Sequence, residues 1–147
     1  MSISDEDLVK RFPGQPITHD NAEHYRGRLD YRLLLGRCRS CGRWQSPPKP
    51  VCPNCWAFEV ESALVSGNGT IYMAIFLHQG PPAPGVDYLV PYPVVTVELD
   101  EQPGLRFTAT IVNADNDAIQ IGARVRLGWI DRAGMPVPVF ELSRAAR

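Results

Sequence analysis

Four cysteines stand in two CxxC pairs, Cys38/Cys41 and Cys52/Cys55, inside the stretch CRSCGRWQSPPKPVCPNC. Thiolates in this arrangement support thiol–disulfide exchange, structural disulfides or tetrahedral metal coordination. A redox CxxC opens a helix whose N-terminus activates the first thiolate, and Pro53 with Pro47, Pro48 and Pro50 disfavours that helix. Zn²⁺, by contrast, is satisfied by four thiolates, two from each turn, and Gly42 after the first pair and Pro53 within the second suit tight turns. The ten-residue separation of the pairs is shorter than in many zinc ribbons, but two pairs are far more specific than one. Cys38, Cys41, Cys52 and Cys55 are therefore expected to ligate one structural Zn²⁺; iron in a rubredoxin-like site has the same ligand set. Such a closed site keeps no open coordination position, so the metal is expected to stabilise a small module rather than catalyse.

Other chemistry-bearing residues are less organised. His19, His24 and His78 have no partners at meaningful spacing, and each reads as a capping, packing or surface histidine. His78, beside a long loop, is the best placed of the three for catalysis, yet no catalytic residue is assigned. Asp115 and Asp117 in NADND lack the glutamate that completes a calcium loop and suit Asx turns. GNGT is no phosphate loop, because no Lys-Ser/Thr follows its glycines.

Charge divides unevenly along the 147 residues. Residues 1–59 hold nine Lys/Arg against seven Asp/Glu, residues 60–147 six against nine. Between Arg26 and Lys49 stand seven basic residues and one acid, Asp30, a face that is solvated, offsets a tetrathiolate, or meets an anion. The N-terminus has no apolar run and the longest one, Ile71 to Leu77, is short of a membrane span, so a cytoplasmic protein with no membrane partner is expected. In that reducing compartment clustered thiols favour metal over disulfides.

The elements that must position the cysteines follow from turn and period signals. Residues 1–17, broken by Pro13, Gly14 and Pro16, read as an extended arm. Thr18 or Asp20 can cap a short helix reaching about Arg28, and Tyr31 to Gly36 leads into the first CxxC as a strand. Beyond Cys55, Glu59 to Ser66 and Thr70 to His78 flank Gly-Asn-Gly as an expected hairpin or bulge. Five prolines make Gln79 to Pro93 a long loop. Val94 to Leu99, Leu105 to Val112 and Arg124 to Asp131 are further strands, with Ala133 to Pro136 a turn. Five short strands suggest a closed barrel of the oligonucleotide/oligosaccharide-binding (OB) type, with a β-sandwich fragment as the alternative. The expected fold is mainly β: an N-terminal arm, helix and lead-in strand over 1–36, a zinc ribbon over 37–57, and a five-stranded OB-fold domain over 58–147.

Ribbon beside barrel raises single-stranded nucleic-acid binding as a function. It requires aromatics interleaved with cations, and Tyr72, Phe76, Phe107 and Trp129 are not so arranged.

The order LLGRCRSCGRWQSPPKPVCPNC, VSGNGTIYMAIF, PYPVVTVEL, IQIGARVRLGWI resembles the acyl-CoA-associated family that joins a rubredoxin-like zinc ribbon to an OB-fold domain. The similarity runs from about residue 18 to about residue 142. It implies an accessory subunit in a hetero-oligomer rather than an independent enzyme. Its partner would be a thiolase, a lipid-transfer-protein-like aldolase of the thiolase superfamily, or a MaoC-type hydratase, often in lipid or steroid side-chain degradation. In such assemblies the ribbon and helix contribute to docking, and the OB domain helps bind or channel the acyl-CoA thioester. The resemblance carries Cys38, Cys41, Cys52 and Cys55 over as zinc ligands. No comparably sharp CoA motif stands in the sequence, so no residue is assigned to CoA. No hydratase domain follows the barrel, so hydratase or aldolase chemistry is expected from another polypeptide.

Overall fold

A computed structural model describes residues 3–143 and divides into two compact units, 1–65 and 66–147. In the first unit, α1 (Asp5–Arg11) and α2 (Ala22–Leu29) precede a three-stranded antiparallel sheet of order β2-β1-β3, from β1 (Leu34–Cys38), β2 (Trp44–Gln45) and β3 (Val60–Leu64).

Helix α1 lies where an extended arm was expected. Ser4 Oγ accepts from the Asp7 backbone N–H at 3.2 Å, acidic residues fill the first turn, and Lys10 and Arg11 sit in the last, all favourable to the helix dipole. Seven residues are too few to hold a helix alone. Burial of Leu8 and of Phe12, whose ring lies 5.2 Å from Tyr25, supplies the rest. Arg26 of α2 reaches back to Asp5, to Glu23 and to the Ile3 carbonyl. The expected second helix is present, but neither Thr18 nor Asp20 caps it: Asn21 is the N-cap, and its side chain instead accepts from the Thr18 N–H at 2.7 Å.

The second unit is a closed five-stranded barrel of order β4-β5-β6-β8-β7. Its strands are β4 (Gly69–Leu77), β5 (Tyr92–Leu99), β6 (Arg106–Val112), β7 (Arg124–Arg132) and β8 (Met135–Leu142), with one 3₁₀ turn at Asn116–Ala118. Alternation on β5 sends Val95, Val97 and Leu99 inward, where Ile71, Ile111, Val125, Val139 and Phe140 complete the core.

Two strand expectations are corrected. The segment before Gly-Asn-Gly does not form a hairpin with β4: β3 pairs with β1 from Leu34↔Leu64 to Cys38↔Val60 and belongs to the first unit. The fifth barrel strand is instead β8, which begins inside the expected turn and carries Pro136 and Pro138. Both prolines face β7, whereas β6 reaches only Phe140 and Glu141, so near the prolines β8 has a partner on one side only. That is where a strand tolerates proline. Ala133 and Gly134, both at positive φ, form the tight β7–β8 turn.

Candidate metal centre

Each CxxC lies in a closed backbone knuckle. In the first, Cys38 N donates to Arg43 O and Gly42 N to Cys38 O, both at 2.9 Å; in the second, Cys52 N donates to Ala57 O at 2.9 Å and Trp56 N to Cys52 O at 2.8 Å. The residue after the second cysteine is left-handed in both knuckles, Gly42 at φ 79° and Trp56 at φ 65°.

The knuckles bring all four Sγ atoms within 4.8 Å of one another, with Cys38–Cys55 and Cys41–Cys52 each at 3.6 Å. Sulfurs about 2.3 Å from a tetrahedral Zn²⁺ stand roughly 3.8 Å apart, so the spacing fits. The thiols are unequal. Cys41 is lowered to about 6, first by the Asn54 side-chain N–H and then by the Arg43 backbone. At Cys55 the Ala57 backbone N–H also favours the thiolate, but desolvation and the crowding of Cys38, Cys41 and Cys52 push the thiol up to about 11. Four thiols this close resist ionising together, and a dication at their centre removes that penalty. Cys38 and Cys52 are buried while Cys41 and Cys55 face solvent. Asn54, 3.5 Å from Cys41 Sγ, was not singled out from sequence; its place inside the second CxxC was the available signal.

The histidines do not converge with the cysteines. His24 is buried in α2, and both ring nitrogens are engaged, Nδ1 with the Leu34 carbonyl and Nε2 with Arg28. His78 follows β4 and His19 precedes α2. The basic stretch is heterogeneous. Arg28 lies over Tyr25 and Arg37 over Trp44, while Arg39 reaches Glu61 at 4.0 Å. Arg32, Arg43 and Lys49 form no ion pair among the described residues.

In the barrel unit a cleft of about 220 Å³ lies between Pro84–Gly85 of the long loop and Ile130–Ala133. That is below the ~300–1,000 Å³ of pockets that enclose a ligand. Among the described residues no helix is long and apolar enough to cross a membrane.

A four-cysteine cluster on paired knuckles, with a closed five-stranded barrel in the same chain, defines a zinc-ribbon and OB-fold protein. Residues 26–61 match the family described as ChsH2, rubredoxin-like zinc ribbon domain, and residues 63–129 the one described as ChsH2, C-terminal OB-fold domain. A DUF35 domain-containing scaffold protein of Pyrococcus furiosus is 31% identical over 104 residues, covering 71% of each chain. The chain belongs to this DUF35 family, and the four clustered cysteines of its zinc ribbon fit structural zinc.

The chain is also 35% identical over 130 residues to a probable enoyl-CoA hydratase alpha subunit of Thermomonospora curvata, covering 88% of this chain and 39% of that one. It is 29% identical to the 3-oxo-4,17-pregnadiene-20-carboxyl-CoA hydratase alpha subunit of Mycobacterium tuberculosis, covering 78% and 35%. It thus spans little more than a third of either hydratase subunit. Among solved structures, a chain of the Ltp2-ChsH2(DUF35) aldolase superposes with a TM-score of 0.77 at 34% identity, covering 87% of this chain and 98% of that one.

Proposed function

We propose that this protein is a noncatalytic accessory subunit of an acyl-CoA-processing complex. It docks to a thiolase-superfamily, lipid-transfer-protein-like aldolase or thiolase and helps bind the CoA thioester of a lipid or steroid side chain. Cys38, Cys41, Cys52 and Cys55 ligate one Zn²⁺ that keeps the ribbon folded for docking. The observation that carries this reading is the match across 98% of a chain solved as Ltp2-ChsH2(DUF35) aldolase, a protein named for two components. The names of the two hydratase alpha subunits make a MaoC-type hydratase the second partner class.

Co-expression with a thiolase-superfamily aldolase, then size-exclusion chromatography and a retro-aldol assay on an acyl-CoA substrate, tests the proposal. A co-eluting complex more active than the aldolase alone is expected. An aldolase equally soluble and active by itself, with no complex, overturns it.

A further inference from the structure

The second knuckle carries a feature that metal binding does not require. Any residue following the second cysteine of these knuckles must be left-handed, and Gly42 meets that demand without penalty. Its counterpart Trp56 holds φ 65° with a bulky side chain, a conformation that costs an L-residue on the order of 1–2 kcal/mol. Packing within the chain does little to offset this, because Trp56 is 79% exposed. Phe58, two residues on, is 81% exposed. The backbone at Trp56 is held by the Trp56 N–Cys52 O and Cys52 N–Ala57 O hydrogen bonds, and that just after Phe58 by Arg39 N–Glu59 O at 2.9 Å, so both rings reach solvent from a hydrogen-bonded segment. The cysteine cluster draws the first knuckle alongside, with Arg43 two residues beyond Cys41 and forming no ion pair among the described residues.

We infer that Trp56 and Phe58 are the anchor residues of the ribbon's docking surface, received by an apolar pocket whose rim bears carboxylates facing Arg43. The occupant is the thiolase-superfamily enzyme of the proposed function, and the inference rests on that reading. Exposed aromatics on one knuckle, with an arginine that forms no ion pair among the described residues on the other, are residue types that carry much of the binding energy at protein interfaces. Stacked nucleic-acid bases would suit the rings, but the exposed carboxylate of Glu59, next to Phe58, opposes a phosphate chain there.

The test measures binding of wild-type protein, Trp56→Gly/Phe58→Ala and Arg43→Glu to the isolated Ltp2 aldolase, with zinc content and thermal midpoint in parallel. The double variant is expected to lose at least ~100-fold in affinity with zinc retained and a midpoint no lower, because glycine relieves the left-handed strain. Arg43→Glu is expected to slow association and flatten its salt dependence. Phe58→Ala alone, which leaves the left-handed position untouched, decides the matter should the double variant fold poorly; it is expected to lose ~10-fold or more. Wild-type affinity in the variants overturns the anchor and leaves the proposed function standing. No binding by the wild type overturns both. Loss of zinc with Phe58→Ala, a wild-type homodimer that these changes dissociate, or salt-sensitive binding of a (dT)₂₀ oligonucleotide that depends on the same rings, also overturns it.

Discussion

Arg28 Nε lies 3.2 Å from His24 Nε2 and donates to it. The other ring nitrogen, Nδ1, is 2.8 Å from the Leu34 carbonyl oxygen, which can only accept. Together the two partners hold the imidazole as its neutral Nδ1–H tautomer, one turn of α2 hydrogen-bonded to the strand that leads into the first knuckle. An added proton on Nε2 would confront the arginine N–H.

That arrangement makes the first unit sensitive to acid. Burial, then the Arg28 charge, lowers His24 from 6.5 to about 4 against the opposing Leu34 bond. Between those values the unfolded chain binds a proton that the folded chain refuses, so stability is full above pH 6.5 and falls as pH drops toward 4. Linkage puts the loss at about 3 kcal/mol or less. Urea unfolding of wild type and His24→Gln at pH 7 and pH 4.5 checks this. The variant should show a smaller difference between the two pH values, although acid release of metal affects both proteins alike.

The metal should be separable from the barrel. Protein purified without chelator is expected to hold about one zinc per chain, by elemental analysis. Stripping it, or Cys38→Ser or Cys52→Ser, should abolish amide-exchange protection in β1 to β3 while β4 to β8 stay protected. Loss of protection across both units would show that the barrel depends on the ribbon.

A bidentate pair ties the barrel's shortest antiparallel seam. β4 meets β7 only at Gly69↔Val125 and Thr70↔Arg124, and Arg124 grips both Asp100 oxygens at 2.7 and 2.6 Å while also donating to Thr70. The residues are about half exposed, so the pair contributes roughly 0.5–1 kcal/mol. A double-mutant cycle with Arg124→Ala and Asp100→Asn should return that coupling and see it shrink in 1 M salt. Because Arg124 lowers the Asp100 pKa, the contribution is present above the ordinary carboxylate range and fades as the acid protonates below it.

Two left-handed glycines should respond differently to alanine. A Cβ on Gly67 would sit 2.4 Å from Leu127 Cβ, whereas one on Gly104 would meet nothing within 4 Å. Gly104→Ala is expected to cost about 1 kcal/mol in backbone strain and Gly67→Ala about 2–4 kcal/mol, strain and overpacking together. Chemical denaturation of the two variants makes the comparison.

The cysteine spacing made the four-cysteine cluster legible because both cysteines of a turn are local in sequence, and the Gly-Asn-Gly stretch marked a constrained backbone for the same reason. What stayed hidden was non-local. Nothing in VESAL says that it pairs with LLGRC rather than with the strand that follows it, since both choices satisfy its propensity. β8 was obscured by prolines that are harmless only because β6 does not reach them. Trp56 could have been found by laying CPNCW on CRSCG and noting which residue falls on the glycine.

The parallel contact of β6 with β8 at Ile111↔Phe140 and Val112↔Glu141 has a consequence for biosynthesis. All strands of the first unit are complete at Leu64, so it can fold and take up its ion while the rest is still being translated. The barrel cannot close until Phe140 has been made, on the order of ten seconds later at typical elongation rates. Every strand of the ribbon is therefore synthesised before the last strand of the barrel.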